Sequence, residues 1–368
     1  MKAGWKIEKL GNLASYVNGY PFKPTDWGEK GLPIIRIQNL NSARDEYHYF
    51  NGTILPRYKV FKGDILISWS ASLGVFTWNG PDALLNQHIF KVVFDKEDID
   101  KEFFVYAVSF KLDEMKKLVH GATMQHITRG KFDSIDIPLP PLPEQKRIVA
   151  ILDQEFAKID ALKANAEKSL QAAKDLFQAT LKKELEPKKG WNIKPFGELC
   201  DIFDKKRKPI SKRDREPGPY PYYGASCIQD YVKDYLFDGR YLLIGEDGAK
   251  WGPGDDTAYI VEGKFWVNNH AHIVKAKEGF FDDYLRYYIK QLDLNPLVAG
   301  AIIPKLTQEK LVAIEIPVPP LWLQQEIVSI LDDLNDKCNT LQDNYQKTLA
   351  LCDDLKQALL RKAFNGEL

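Results

Sequence analysis

The sequence has little cysteine and no cysteine–histidine spacing that would bind zinc. Four cysteines are spread over 368 residues, and none forms a C-x-x-C pair, so we expect reduced thiols and no structural metal. The longest uncharged run, 65–81, contains three serines, a threonine and an asparagine and is too polar to cross a membrane. The first residues lack the apolar core of a secretion signal, which favours a cytoplasmic protein without a membrane partner.

Motifs for nucleotide and methyl-transfer chemistry are also missing. Gly130-Lys131 and Gly263-Lys264 are each followed by phenylalanine, where a P-loop needs serine or threonine. An adenine methyltransferase needs Asn or Asp before Pro-Pro and an aromatic residue after it, but Pro140-Pro141 and Pro319-Pro320 lie between aliphatic residues. We therefore expect no catalytic residue, no metal and no cofactor in this chain. A stand-alone nuclease or methyltransferase is an alternative hypothesis.

Net charge is absent too, because 51 basic side chains balance 51 acidic ones. Total charge therefore neither favours nor excludes a nucleic-acid partner. The stretch 204–215 departs from this balance, with seven basic residues against two acidic ones. Such a cluster can displace counterions from DNA phosphates, although a solvated loop is the alternative interpretation.

What the sequence does contain is an internal repeat. Residues 121–183 align without gaps to 300–362, and 27 of the 63 positions are identical. Each copy runs from a variable block through a proline turn into a helix-like segment. We predict a first domain at 1–142, a central helix at 143–188, a second domain at 189–320 and a C-terminal helix at 321–368.

The variable blocks combine strand and helix patterns. Short apolar runs with Gly and Pro punctuation predict strands, and stretches near 100–119 and 281–291 predict helices. The predicted strands are 32–40, 64–69, 89–94, 241–244 and 272–274. This pattern indicates an α+β fold in which one α/β domain is used twice.

The segments after the proline turns predict two long helices. No proline occurs between Pro143 and Pro187, or after Pro320, so each helix can run unbroken for about 65 Å at 1.5 Å per residue. Apolar residues recur at heptad spacing, which favours a coiled coil of the two helices. Two sequential long helices separated by a compact domain most simply pair antiparallel, but the spacing alone leaves a parallel pair open. Packing of each helix on its own block is the alternative. The predicted seam residues are Ile148, Leu152, Ile159, Leu162, Leu176, Ile327, Leu331, Leu334, Leu341, Tyr345, Leu355 and Leu359.

This combination resembles the specificity subunits of type I restriction-modification systems. The resemblance rests on the repeated I-P-(L/V)-P-P-L turns, the two helices, and the segments Leu66–Ser70, Leu85–His88 and Leu243–Gly248. It covers essentially the whole chain. One departure is Trp322-Leu323, where the first copy has Pro143-Glu144. The difference makes the two helix starts slightly unequal.

The resemblance implies that each variable block recognises one half of a split site in double-stranded DNA. It implies that the helices set the half-site spacing and bind two methyltransferase subunits, which nuclease-translocase subunits then join. S-adenosylmethionine, ATP and magnesium would belong to those partners. A coiled-coil scaffold without DNA recognition is the remaining alternative.

Polar and basic side chains at loop-like positions are the candidates for DNA contact. Arg suits guanine, and Asn or Gln suits adenine, through paired hydrogen bonds in the major groove. Any single one of them can equally have a structural role. The candidates in the first domain are Arg36, Gln38, Asn39, Ser68, Ser70, Gln87, His88, Gln125, His126 and Arg129. Those in the second are Lys205, Lys206, Arg207, Lys208, Tyr223, Lys250, Asn269, His270 and Lys305.

Overall fold

The chain forms two compact units, each containing one globular block and half of each long helix. The computed structural model describes residues 2, 4–41, 46–70, 72–117, 126–298, 300 and 304–368. The first unit comprises residues 1–164 and 348–368, and the second comprises 165–347. These units differ from the predicted four-part division because both helices are shared between them.

The described part of the first unit contains strands β1–β10 and helices α1–α4, followed by the long helix α5. Some of the predicted strands are shorter than expected, since Ile37 already begins a helical turn. The strands are β1 Lys6–Lys9, β2 Ser15–Asn18, β3 Leu32–Ile35, β4 His48–Phe50, β5 Lys59–Val60, β6 Ile65–Ser68, β7 Gly74–Thr77, β8 Ala83–Leu85, β9 Ile89–Val93 and β10 Asp136–Leu139. The helices are α1 Leu10–Leu13, α2 Ile37–Leu40, α3 Lys101–Lys117, α4 Arg129–Asp133 and α5 Leu142–Leu185.

The described part of the second unit repeats the same order of elements, except that no helix corresponds to α2, and ends with the long helix α9. The strands are β11 Asn192–Pro195, β12 Cys200–Ile202, β13 Pro217–Tyr223, β14 Ile228–Val232, β15 Phe237–Asp238, β16 Tyr241–Gly245, β17 Ala258–Val261, β18 Lys264–Val267, β19 Ala271–Ala276 and β20 Glu315–Val318. The helices are α6 Phe196–Leu199, α7 Asp282–Gln291, α8 Gln308–Val312 and α9 Leu321–Asn365.

The sheets show that the two blocks share one topology. The first block has an antiparallel sheet of order β2-β9-β6-β7, a mixed sheet β4-β3-β8-β5 and the pair β1-β10. The second has β12-β19-β16-β17, β14-β13-β18-β15 and β11-β20. In both mixed sheets the central pair is parallel, β3 with β8 and β13 with β18. The α+β class and the duplicated domain are thus confirmed.

One strand in each block is buried on both faces, which explains its continuous apolar sequence. Ile65 and Ile67 of β6 pack in the core formed with α3, whereas Leu66 packs in the core formed with the mixed sheet. In β16, Leu242 packs with α7 and Leu243 packs with the mixed sheet. Side chains alternate between the faces of a strand, so each block is a layer of helix, sheet and sheet.

A buried glutamine anchors each long helix to its block. Gln145 donates from Nε2 to the Pro140 carbonyl at 2.9 Å and accepts from the Asp100 amide at 2.8 Å. Gln324 makes the matching bonds to the Pro319 carbonyl and the Phe281 amide, at 2.9 and 3.0 Å. The proline turns therefore begin the helices as predicted, and the repeated glutamine holds each start in place.

Within each unit the two helix halves pack antiparallel. In the first unit, Lys356 pairs with Asp160 at 2.6 Å and Lys163 with Asp353 at 2.5 Å, so residue numbers rise on one helix as they fall on the other. In the second, Cys338 Sγ donates to the Ala173 carbonyl at 3.4 Å. Further along, Leu181 and Leu185 share a core with Ile327 and Leu331. The antiparallel pairing is confirmed.

The heptad register requires a correction at four of its leucines. Ile148, Leu152, Ile159, Ile327 and Leu331 are buried, and Leu334, Tyr345 and Leu359 are half-buried. Leu162, Leu176, Leu341 and Leu355 are instead exposed. A helix with 3.6 residues per turn drifts by about 20° per heptad from a 3.5-residue repeat. The buried stripe therefore shifts by one residue: next to these leucines, Phe177 is buried, and Lys163, Gln342 and Lys356 are half-buried.

Among the described residues, no helix combines the length and the apolar character needed to cross a membrane.

Candidate nucleic-acid interface

The first candidate site lies at one end of the antiparallel sheet of the first unit, where three chain segments meet. The Trp69 amide donates to the His88 carbonyl at 3.4 Å, and the Ile127 amide donates to the Trp69 carbonyl at 3.1 Å. Ser70 forms a β-bridge with His126. Backbone hydrogen bonds therefore bring together the segments around Trp69, His88 and His126, which are far apart in the sequence.

The second candidate site has the same construction in the second unit. The Glu246 amide donates to the His270 carbonyl and the Leu306 amide to the Glu246 carbonyl, both at 2.8 Å. Asp247 forms a β-bridge with Lys305. Glu246, Asp247, His270 and Lys305 thus occupy the positions of Trp69, Ser70, His88 and His126. The fold supplies one backbone frame twice, with different side chains on each copy.

An aromatic cavity of about 440 Å³ opens at the first site. The Trp69 indole stacks on Phe90 with ring centroids 5.7 Å apart and donates from Nε1 to Asn18 Oδ1 at 3.2 Å. The Arg129 guanidinium lies 5.3 Å from the Phe90 ring and donates to the Tyr16 carbonyl at 3.1 Å. These contacts leave a wall that combines flat apolar surface with hydrogen-bonding groups.

At the second site an ion network occupies the equivalent place. The Arg207 guanidinium donates to Glu246 at 2.5 Å and to the Ala271 carbonyl at 2.8 Å, and lies 3.4 Å from Asp204. His272 is buried between Asp204 Oδ2 at 2.6 Å and the Leu306 carbonyl at 2.8 Å. Asp204, Glu246 and His272 would be spaced to bind a metal ion, but Arg207 already supplies the positive charge. We therefore assign these residues to structure.

Four of the predicted DNA contacts have side chains that are wholly or partly buried, which favours a structural role for them. Ser68 and Ser70 are buried, and the Ser68 hydroxyl donates to the Ser72 carbonyl. Arg207 is held inward by the network just described. Tyr223 packs its ring against Phe265, with centroids 5.8 Å apart, and burial raises the pKa of its hydroxyl. These side chains pack and form hydrogen bonds where the strands end, and they therefore support the loops that follow.

The turn after β3 is also largely structural. Asn39 accepts from the Arg36 amide at 3.0 Å and donates to the Glu46 carbonyl at 3.0 Å. The Arg36 guanidinium lies 5.6 Å from the exposed Trp27 ring, and Gln38 is half-buried. This turn is next to the first site because the Ile35 carbonyl accepts from the Asn86 amide. Gln125 lies outside the described residues.

The remaining candidates present accessible side chains. At the first site His126 and Arg129 are exposed, and Gln87 and His88 are half-buried with their Nε2 atoms 3.3 Å apart. Burial lowers the pKa of His88, so its ring is neutral near pH 7. At the second site the exposed side chains are Lys205, Lys206, Lys208, Lys250 and Asn269, with His270 and Lys305 partly exposed.

The sequence reasoning missed three residues that shape these sites: Asn18, Trp69 and Asp247. A signal for Asp247 was present in the internal repeat. The repeat makes Lys305 equivalent to His126, and the partners of these two residues, Asp247 and Ser70, are equivalent as well. Trp69 lies in the segment Leu66–Ser70 that contributes to the family resemblance, whereas Asn18 carries no signal. Their contact depends on the pairing of β2 and β6 with β9.

The comparisons with known proteins agree with this architecture. The family described as type I restriction modification DNA specificity domain matches residues 2–172 and 188–350. The EcoBI type I restriction enzyme specificity subunit of Escherichia coli is 29% identical over 99% of this chain and 86% of that protein. A putative specificity subunit of Haemophilus influenzae is 44% identical, but the match spans only 38% of this chain and 36% of that protein.

Solved structures show the same fold. A chain from a study of complex assembly and conformational transition of the type I restriction-modification system has a TM-score of 0.77 at 18% identity, and the match covers 100% of this chain and 99% of that one. The HsdS subunit of Thermoanaerobacter tengcongensis has a TM-score of 0.57 at 19% identity, with 100% and 98% covered. With both of its halves matched by the family, this chain belongs to the DNA specificity subunits of type I restriction-modification systems.

Proposed function

We propose that each globular block, 1–142 and 189–320, recognises one half of a split DNA site on behalf of a multisubunit methyltransferase and endonuclease. The observation that carries this proposal is the pair of equivalent sites, each held by the same backbone hydrogen bonds but lined by different side chains. A scaffold needs no such divergence at one fixed place. Two sites with different base preferences do need it.

Phosphate contact at the second site is assigned to an exposed lysine cluster, Lys205, Lys206 and Lys208, which we call the basic loop. These lysines surround the folded-in Arg207, and Lys205 and Lys206 lie on a short 3₁₀ turn, 204–206, that adjoins the ion network. Exposed lysine side chains beside a site for base contact would orient a duplex without reading its sequence. In the first unit the exposed Arg129 lines the first site and is the candidate there for phosphate contact.

The exposed leucines of the helices are proposed to bind two methyltransferase subunits. Leu162, Leu176, Leu341, Leu351 and Leu355 are all solvent-exposed, as is Trp322 at the start of α9. Large apolar side chains repeated along one pair of helices favour a protein partner. The helices would also set the half-site spacing, and nuclease-translocase subunits would join the assembly. S-adenosylmethionine, ATP and magnesium are then supplied by those partners in the cytoplasm.

The test is binding of a duplex library by the purified chain together with its methyltransferase partners, over a range of salt concentrations. We expect selection of a two-part sequence, and an affinity that falls steeply as salt rises. The chain alone is expected not to bind S-adenosylmethionine. An assembly that binds all duplexes equally would favour the scaffold, and S-adenosylmethionine binding by the isolated chain would favour the enzyme.

A further inference from the structure

A buried carboxylate at the second site contacts two partly exposed side chains. Asp247 has only 8% of its side chain exposed, whereas His270 and Lys305 have 44% and 38% exposed. His270 Nδ1 is hydrogen-bonded to Oδ1 of Asp247, and Lys305 Nζ lies 2.9 Å from Oδ2. One buried acceptor therefore places an imidazole and an ammonium group side by side on the surface.

The backbone makes this arrangement rigid. Asp247 follows β16 and His270 precedes β19, and these strands pair directly. Lys305 is bridged to Asp247 through the main chain, and the His270 amide donates to Asn268 Oδ1 at 2.8 Å. Burial opposes ionisation of Asp247, yet hydrogen bonds from Lys305 and His270 lower its pKa, and the same contact raises the pKa of Lys305. The carboxylate and the ammonium are thus both charged.

The charge on Asp247 determines which hydrogen-bonding groups of His270 and Lys305 remain available at the surface. An ionised carboxylate only accepts hydrogen bonds, so His270 donates to it from Nδ1. In the neutral ring Nε2 is then an acceptor, and no described residue bonds to it. Lys305 supplies a donor beside it. A neighbouring donor and acceptor complement the major-groove edge of adenine, which offers N7 as acceptor and the N6 amino group as donor. Guanine offers two acceptors there, so it could accept from Lys305 but would leave the Nε2 acceptor of His270 without a donor.

We propose that Lys305 and His270 recognise the adenine of one A·T pair in the second half-site, and that Asp247 is the positioning residue for both. This inference rests on the proposed DNA-recognition function. It assigns to the buried Asp247 a role in specificity. The residue does not touch DNA and acts through the two side chains that it positions.

The test compares Asp247→Asn, Lys305→Met and His270→Ala in the assembly with methyltransferase subunits. Binding is measured to duplexes in which each base pair of the site is changed in turn. We expect all three variants to lose preference at the same A·T pair, by about 5- to 150-fold for a two-bond contact, while the first half-site stays selective. Lys305→Met and His270→Ala alter exposed side chains, so they keep the test valid if Asp247→Asn unfolds.

Asp256→Asn is the matched control, because Asp256 pairs with Lys290 in the same unit but is largely exposed. It is expected to leave every base preference unchanged. Uniform weakening at all positions by the three variants, or a relaxed pair that is G·C, would overturn the assignment. A wild-type assembly without any sequence preference would instead refute the proposed function, so the two failures are distinguishable.

Discussion

The shift of the helix seam predicts opposite effects for two adjacent residues. Leu176 fits the heptad pattern but is 57% exposed, whereas Phe177 does not fit it and is 5% exposed. The Phe177 ring packs against Tyr287, with centroids 6.3 Å apart, and lies 5.7 Å from the Lys290 ammonium. Phe177 therefore links α5 to the globular core of the second unit, and Leu176 does not.

Alanine substitutions at the two positions are expected to change the free energy of unfolding by different amounts. Phe177→Ala removes a buried ring and is expected to cost about 3–5 kcal/mol. Leu176→Ala removes an exposed side chain and replaces a good helix former with a better one, so we expect a change within about 0.5 kcal/mol. The measurement is the free energy of unfolding of the second unit from guanidinium titration of the whole chain.

A second pair of residues repeats the comparison in the first unit. Ile159 is 2% exposed and Leu162 is 56% exposed, so Ile159→Ala should cost about 2–5 kcal/mol and Leu162→Ala almost nothing. If the two leucine variants were as destabilising as Phe177→Ala and Ile159→Ala, the strict heptad would be right and the shifted stripe wrong.

Four further outcomes are expected. Leu176→Asp should weaken binding of the methyltransferase subunit without lowering the free energy of unfolding; unchanged binding would contradict the docking role. Alanine at all three lysines of the basic loop should reduce the slope of log affinity against log salt by about 3, and an unchanged slope would place those lysines away from DNA. Residues 157–163 and 353–359 face each other in the ion-pair register, and deleting both segments shortens the helices by about 10 Å. The deletion should change the spacing between the half-sites but neither half-site sequence, which mapping of methylated adenines checks. Hydrogen bonds from Arg147 and Lys2 lower the pKa of Glu144 to about 2. Its stabilising effect is therefore fully present above the unfolded-state pKa of about 4.5 and is lost as the pH falls through about 2. Glu144→Gln should lower the melting temperature much more at pH 7 than at pH 2.

The sequence was sufficient for the features that depend on local pattern. Proline turns, absence of proline and the gapless repeat predicted both long helices and the duplicated domain. The helix pairing was also predictable, although the exact buried face was not. A 3.5-residue stripe can be read along the chain, but Phe156 and Phe177 turn toward the blocks, and that preference comes from the tertiary core.

The candidate sites were less predictable because their contacts are long-range. His270 and Lys305 lie 23 and 58 positions from Asp247 in the sequence, and only the β16–β19 pairing and the Lys305 bridge bring them together. The same limitation explains why two buried serines were predicted to contact DNA. Ser68 and Ser70 look like loop residues by composition, yet they lie at the end of a strand that is covered on both faces.

The two sites together show how this fold separates stability from specificity. Three backbone segments are joined by main-chain hydrogen bonds at both sites, so the frame does not depend on which side chains it carries. Around that frame, the first unit has Trp69 and Phe90, and the second has Glu246, Arg207 and His272. Aromatic packing and an ion network are different solutions to the same need for support. The side chains at the two sites can therefore differ between the two halves while the strands keep one topology.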